Sequence, residues 1–152
     1  MLFGRSKKVQ LVRPFTGKIV GLSEVPDEMF AQKMLGDGFA VEPEADAFDV
    51  VAPVSGTLLK VFGTLHAFAM KSDEGLEILV HIGLETVELK GDGFTELAHT
   101  GEHVDAGTPV VRVDAAKVKA AGYNLVTPVV LTNPAQVKSI TINSQGAEVS
   151  IA

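Results

Sequence analysis

Two histidines in the middle of the chain are the residues best suited to chemistry. His66 and His81 lie in GTLHAFAMKSDEGLEILVHIGL, on either side of the segment SDEG. A neutral imidazole has a nucleophilic nitrogen near pH 7, because its unperturbed pKa is about 6.5. Such a nitrogen can accept a phosphoryl group, and a second imidazole or a hydroxyl, such as that of Thr64, can stabilise the transferring oxygens. The pattern therefore favours phosphoryl transfer through histidine.

The segment between the histidines must position them. Asp and Gly in SDEG are typical of a hairpin turn between two short strands. A loop centred on Asp73 and Glu74 places His66 directly opposite His81, with Cβ atoms about 5 Å apart on one face of the sheet. A loop of odd length or a β-bulge would break this pairing.

Alternation along the two strands divides their side chains between two faces. The face predicted to be core carries Val61, Leu65, Ala67, Ala69, Ile78, Val80 and Ile82. The other face carries Phe62, Thr64, His66, Phe68, Leu79 and His81. On this assignment Phe62, Phe68 and Leu79 form an apolar rim around the histidines, and exposed apolar patches of this kind mark docking sites.

A metal site is the other chemical interpretation of these histidines. Catalytic zinc takes three protein ligands, and the nearest carboxylate on the same face, Glu77, is about 13 Å from His81 at the strand rise. His99 and His103 have the i, i+4 spacing of a helical metal site, yet Gly101 interrupts that helix. We therefore expect no metal and no other cofactor. A metallohydrolase ranks third among the possible functions, after a phosphocarrier and a regulatory binding module.

Composition limits the other classes of function. The chain has 152 residues, enough for one domain, and a formal charge of −6 with scattered basic residues, so nucleic acid is not an expected partner. It has no Cys, which removes disulfides and thiol nucleophiles. No signal or membrane-spanning pattern is present, so we expect a cytoplasmic protein that meets a membrane only through a partner. Residues 1–9 are expected to be a flexible tail and residues 10–152 the domain.

Short β-branched runs between Gly and Pro predict an all-β fold, an antiparallel sandwich or barrel. The runs are 18–20, 50–51, 57–62, 77–82, 110–113, 129–132, 140–142 and 148–151. VRPFTGKIV at 12–20 resembles VAPVSGTLL at 51–59, which indicates an internal repeat. A few short helices are predicted, at 26–34 and at 114–121 before Gly122.

Several long motifs resemble one family when taken together. They are VPDEMFAQKMLGDGFAVEP, VAPVSGTL, LHAFAM, LVHIGLETVELKGDGF and NLVTPVV. These motifs resemble the glucose-type enzyme IIA family of the bacterial phosphoenolpyruvate-dependent sugar phosphotransferase system, over about Gln10 to Ala152. The resemblance implies a β-sandwich in which His81 is phosphorylated on Nε2 and His66 stabilises the phosphoryl group. It further implies that Thr64 is a supporting hydroxyl and that the Gly83 carbonyl fixes the His81 ring through Nδ1.

The resemblance also implies the partners. The donor would be the phosphohistidine of the carrier protein HPr, and the acceptor a cysteine on the IIB domain of a glucose-family sugar permease. The docking residues would be Asp37, Phe39, Phe62, Phe68, Leu79 and Glu85, where Glu85 replaces the Asp that is usual in the family. The alternative function is a regulatory binding module that reports sugar flux through the same face, contacting regulatory targets without transferring phosphate.

Overall fold

The architecture is a set of antiparallel sheets. The computed structural model describes residues 7–152, and these contain thirteen strands. The strands are β1 (Lys7–Val12), β2 (Gly17–Val20), β3 (Asp37–Pro43), β4 (Ala47–Val51), β5 (Gly56–Val61), β6 (Ala67–Ser72), β7 (Glu77–His81), β8 (Phe94–Glu96), β9 (His103–Val104), β10 (Pro109–Asp114), β11 (Thr127–Leu131), β12 (Val137–Asn143) and β13 (Gly146–Ile151). Every strand pairing is antiparallel, which confirms the predicted all-β class.

A seven-stranded sheet carries the histidine hairpin. Its order is β2-β3-β11-β7-β6-β5-β9, so β6 and β7 lie side by side near its middle. Two smaller sheets accompany it, with orders β1-β13-β12 and β4-β10-β8. The main hydrophobic cluster draws on all three sheets, and its largest fully buried side chains include Phe39, Leu58, Phe68 and Met70. The site is therefore built on a strand pair held by the centre of the core.

The two copies of the sequence repeat contact each other through reciprocal hydrogen bonds. The Val12 N–H donates to the Pro53 carbonyl at 2.8 Å, and the Val51 N–H donates to the Pro14 carbonyl at 2.7 Å. The glycine of each copy begins a strand, β2 or β5, and a Cβ atom on it would lie 2.1 Å from a carbonyl oxygen of the neighbouring strand. Each copy thus requires glycine at the same point, because the adjacent backbone passes too close for any side chain.

Two short helices were expected and two are present. Helix α1 (Glu28–Ala31) has Asp27 as its N-cap, so the helix is shorter than the predicted span and Pro26 precedes it. Helix α2 (Ala115–Ala120) is capped by the Asp114 side chain and is followed by Gly122 at φ +94°, as the sequence predicted. Single 3-10 turns lie at Leu22–Glu24, Thr86–Leu89 and Pro134–Gln136.

The boundary predicted for the N-terminal tail was too late. Residues Lys7 to Val9 pair with Ile151 to Val149 in the ladder between β1 and β13, and Val9 is 5% exposed. Burial of Val9 and a full strand partner hold these residues in the domain. The rest of the expected tail, residues 1–6, lies outside the described residues.

Candidate active site

The loop between β6 and β7 is one residue longer than the pairing of the histidines requires. It consists of Asp73, Glu74 and Gly75, with Gly75 at φ +102°, and the Ser72 N–H donates to the Leu76 carbonyl across it at 2.8 Å. This odd-length loop pairs Ala67, not His66, with His81. The predicted register was therefore wrong by one residue, because a three-residue turn that ends in a left-handed Gly shifts the pairing of β6 with β7 by one residue.

The shifted register reverses the two faces of β6. Phe68 pairs with Val80, and both side chains are 0% exposed in the main core. Phe68 was predicted to be part of an exposed rim, and Phe39 on β3 to be a docking residue, but Phe39 is also 0% exposed. Both predictions were wrong, because the face that carries these phenylalanines packs against the other sheets. On β7 the predicted face is correct, since Ile78 and Val80 are buried.

A bend in the chain before β6 compensates for the shifted register. Phe62 to Leu65 form a tight turn closed by the Leu65 N–H, which donates to the Phe62 carbonyl at 2.8 Å. Leu65 adopts φ +59°, a left-handed conformation that is uncommon for a residue with a branched side chain. His66 follows this bend and lies outside the regular strand, while its carbonyl still accepts from Ile82 N–H. The bend brings the His66 ring to His81 even though the two residues are not paired.

The two imidazoles meet edge to face. Their ring centroids are 5.2 Å apart and the ring planes are inclined by 78°. His66 is 8% exposed and His81 is half-buried. The Thr64 Oγ1 and His66 Nδ1 atoms are 2.6 Å apart and share a hydrogen bond. The structure thus brings together three of the residues that the sequence singled out for chemistry.

The fourth predicted residue, Gly83, contacts His81 directly. The His81 Nδ1–H donates to the Gly83 carbonyl at 2.6 Å, and a carbonyl can only accept, so the proton is on Nδ1 and the Nε2 lone pair is free. Gly83 has φ +77°, and a Cβ atom on it would lie 2.7 Å from a Thr86 methyl and 2.9 Å from the Asn124 carbonyl. Only glycine fits at this position, and the close approach fixes the carbonyl that orients the ring.

Both histidines are held neutral. Burial lowers the pKa of His66, and the neighbouring His81 lowers it further. Burial also lowers the pKa of His81, although the hydrogen bond to Gly83 and the charge of Asp27 act in the opposite direction. Since an unperturbed histidine has a pKa of about 6.5, both rings are neutral at pH 7 and each carries a proton on one of its two nitrogens. The geometry therefore presents a neutral imidazole with a free Nε2 beside a second neutral imidazole.

The four remaining predicted docking residues differ in how much of the side chain is exposed. Phe62 is half-buried, with its ring 5.5 Å from the His66 ring and the Lys60 ammonium above it. Leu79 is half-buried against a second hydrophobic cluster. Asp37 is half-buried, and one of its carboxylate oxygens lies 3.5 Å from the Lys33 ammonium. Glu85 is exposed and adopts φ +59°.

One neighbour of His81 was missed by sequence reasoning. The Phe30 ring lies 5.2 Å from the imidazole, centroid to centroid, and Phe30 is 4% exposed in the second cluster. The predicted helix at 26–34 already contained Phe30, but no local pattern indicates which element that helix contacts. The contact is set by packing between residues about 50 positions apart.

The other two histidines lie in separate surface pairs. His99 Nδ1 contacts the Glu96 carboxylate, and His103 Nε2 lies 2.9 Å from an Asp73 oxygen. Over residues 7–152, no group of three or more metal-ligating side chains is placed to hold an ion. In the same part of the chain, no helix has the length and apolar character needed to cross a bilayer.

Comparison with known proteins is consistent with this geometry. Residues 9–137 match the family model described as phosphoenolpyruvate-dependent sugar phosphotransferase system, EIIA 1. The chain belongs to this EIIA family. It is 41% identical to a PTS system glucose-specific EIIA component of Staphylococcus aureus over 150 residues, which cover 96% of this chain and 89% of that protein. A Staphylococcus epidermidis component of the same name is 40% identical over 152 residues, which cover 97% and 90%.

A solved structure shows the same architecture. The glucose permease IIA from Mycoplasma capricolum superposes with a TM-score of 0.86 at 39% identity, and the match covers 99% of each chain. As an EIIA component, the chain is a phosphotransferase that receives a phosphoryl group from HPr and passes it to the IIB domain of a sugar permease. These relatives do not favour the alternative of a binding module that transfers no phosphate.

Proposed function

We propose that His81 Nε2 is the atom of this EIIA protein that accepts and releases the phosphoryl group. The observation that carries the proposal is the hydrogen bond from His81 Nδ1 to the Gly83 carbonyl, which leaves the Nε2 lone pair free. Nε2 attacks the phosphorus of phospho-HPr, and a new N–P bond forms on His81. The N–P bond of the donor breaks, and its electron pair returns to the HPr histidine. Transfer to the IIB cysteine repeats this displacement with His81 as the leaving group.

His66 is proposed to stabilise the phosphoryl group during transfer. When the Thr64 hydroxyl donates to His66 Nδ1, the ring carries its proton on Nε2 and can donate that proton to a phosphoryl oxygen. Phosphoryl transfer depends mainly on positioning and on stabilisation of charge, which donors held in a partly dry site supply.

The docking surface is proposed to surround His81, with Phe62 and Leu79 as apolar contacts and Asp37 and Glu85 as acidic ones. All four side chains remain accessible at least in part, unlike Phe39 and Phe68. Half-buried apolar side chains together with accessible carboxylates suit a partner that presents an apolar centre and basic residues. The proposed place of action is the cytoplasm, where the carrier would meet the cytoplasmic face of a permease.

The sugar served is proposed to be glucose, because the relatives reported above carry glucose-specific names. The experiment is a two-step phosphoryl transfer. The protein is first labelled from phospho-HPr, and the labelled protein is then offered to a panel of purified IIB domains. We expect labelling at His81 and the fastest onward transfer to a glucose-type IIB domain. Binding of HPr without labelling would contradict the proposal and support a regulatory module.

The charge at Glu85 is expected to affect encounter with HPr more than chemistry. Glu85→Asp should change HPr affinity by at most about 1 kcal/mol, the range for exposed ion pairs. Glu85→Lys should slow association by about threefold or more at low ionic strength, because it removes attraction for basic groups and adds repulsion. Stopped-flow phosphotransfer at two salt concentrations measures both effects.

The matched control for Glu85 is Asp105→Lys. Asp105 is exposed in the segment that contacts Ser55 at the turn end of the histidine hairpin, away from His81, so the same change in net charge is made outside the docking surface. If Glu85→Lys associates as fast as Asp105→Lys at low salt, Glu85 lies outside the contact with HPr.

A further inference from the structure

Helix α1 contacts the His81 imidazole through a single aromatic side chain. The Phe30 ring is inclined by 55° to the imidazole at 5.2 Å and fills the second hydrophobic cluster beside Leu84 and Val130. The helix has only four residues, Glu28–Ala31, and helices this short are not stable by themselves. The position of the Phe30 ring therefore depends on the interactions that begin the helix and on its packing.

Asp27 supplies the interactions that begin the helix. Its Oδ1 accepts from the Met29 N–H at 2.9 Å, and its main-chain carbonyl accepts from the Phe30 and Ala31 N–H groups at 3.1 and 2.8 Å. An N-cap side chain of this kind typically contributes about 1 kcal/mol to a helix. Asp27 thus holds the turn from which Phe30 projects onto His81.

The Asp27 carboxylate also acts on His81 through its charge. Burial lowers the pKa of His81, while Asp27 and the Gly83 hydrogen bond raise it. The other titratable group against the His81 ring is His66, which is neutral at pH 7. Glu85 lies in the loop that follows His81, and its charge contributes to the raised pKa of Tyr123. Removal of the Asp27 charge is therefore expected to lower the pKa of His81.

We infer that Asp27 is a positioning residue for phosphoryl transfer at His81: as the N-cap of helix α1, it holds the Phe30 ring against the imidazole. The inference rests on the proposed function of His81. The Phe30 ring lies against one side of the imidazole and limits its tilt, so that Nε2 keeps the direction set by the Gly83 hydrogen bond. The Asp27 charge is a separate effect, because phosphorylation makes His81 more negative overall and a carboxylate does not stabilise that state.

Two substitutions separate the cap from the charge. Asp27→Ser keeps a side-chain acceptor for the Met29 N–H but removes the charge, whereas Asp27→Ala removes both. Glu28→Gln removes a neighbouring exposed carboxylate and is the control for net charge. The readouts are NMR shifts and titration of the imidazole nitrogens, the rate of labelling from phospho-HPr, and the unfolding temperature.

For Asp27→Ser we expect a lower pKa of His81 from loss of the charge, with a parental unfolding temperature, parental ring shifts of neutral His81 and a parental labelling rate. For Asp27→Ala we expect the lower pKa, an unfolding temperature lower by about 3 °C, altered ring shifts of neutral His81 from a displaced Phe30, and labelling slower by about threefold. Glu28→Gln should match the parent in every readout.

Parental ring shifts and a parental labelling rate in Asp27→Ala would overturn the positioning role. Equal changes of ring shifts and labelling rate in Asp27→Ser and Asp27→Ala would assign the effect to the charge rather than to the cap, and would also overturn it. The same changes in Glu28→Gln would show that they arise from the net charge and not from the N-cap, and would also overturn the inference. The titration does not require His81 to accept phosphate, so failure of the proposed function would be seen separately, as label on another residue.

Discussion

Replacing His81 by Gln is expected to abolish phosphoryl incorporation from phospho-HPr while leaving the fold intact. The lone pair of an amide nitrogen is delocalised into its carbonyl, so glutamine offers no nucleophile in place of Nε2. Its NH2 group can still donate to the Gly83 carbonyl, as the His81 Nδ1–H does at 2.6 Å, so the loop keeps its hydrogen bond. Incubation with labelled phospho-HPr and intact-protein mass spectrometry measure incorporation, and circular dichroism with thermal unfolding reports the fold.

The surface histidines provide matched controls for this substitution. His99 and His103 are exposed and pair with Glu96 and Asp73 rather than with the His66 or His81 ring. His99→Gln and His103→Gln should therefore incorporate phosphate at the parental level. Normal labelling of His81→Gln, with the fold unchanged, would refute the assignment of His81 as the acceptor.

Replacing His66 by Gln is expected to separate uptake from delivery. His66 is not attacked, so the variant should still become labelled from phospho-HPr. Delivery should be slower by about 100-fold, the scale of losing one positioned hydrogen-bond donor to the developing charge in a transition state. The imidazole is held by its contacts with the Phe62 and His81 rings, which a flexible glutamine amide cannot reproduce, so the amide donor is not held at the phosphoryl oxygens. Rapid-quench transfer from the pre-labelled protein to an excess of IIB domain measures the step.

Thr64→Val tests whether the orientation of His66 matters as well as its presence. This substitution keeps the shape of the side chain and removes the hydroxyl 2.6 Å from His66 Nδ1, so the ring can take the other tautomer. Delivery should then fall by less than in His66→Gln, because a donor is still present part of the time. Equal single-turnover rates for His66→Gln and the parent would show that His66 does not stabilise the transition state.

Much of the fold could be predicted from local patterns. The β-branched runs correspond to strands because alternation and turn residues act over a few positions, and the helix before Gly122 ends where a left-handed glycine is required. The two copies of the sequence repeat are also related in the structure, because the Val12 and Val51 N–H groups donate reciprocal hydrogen bonds between them. Local patterns did not indicate β3, β8 or β9. They also missed β1, because the charged residues at its start resemble a solvated tail although Val9 is buried.

The chemistry of the site was available from the sequence, but its geometry was not. The residue types and motifs identified His66, His81, Thr64 and Gly83, and the structure brings all four together. The pairing that was expected to do this does not exist, since a single extra loop residue sets Ala67 opposite His81. The left-handed Leu65 restores the approach of the rings, and no property of leucine predicts that conformation.

Which aromatic residues face the site was decided by tertiary packing alone. Phe68 and Phe39 are as apolar as Phe62, yet the first two fill the core and the third lies against His66. Register determines this outcome, because a shift of one residue exchanges the two faces of a strand. The same holds for Phe30, whose contact with His81 joins a four-residue helix to a distant strand. Sequence by itself determined the reactive groups and the strands that carry them. Their spatial arrangement depended on loop length, backbone handedness and burial, which are properties of the whole fold.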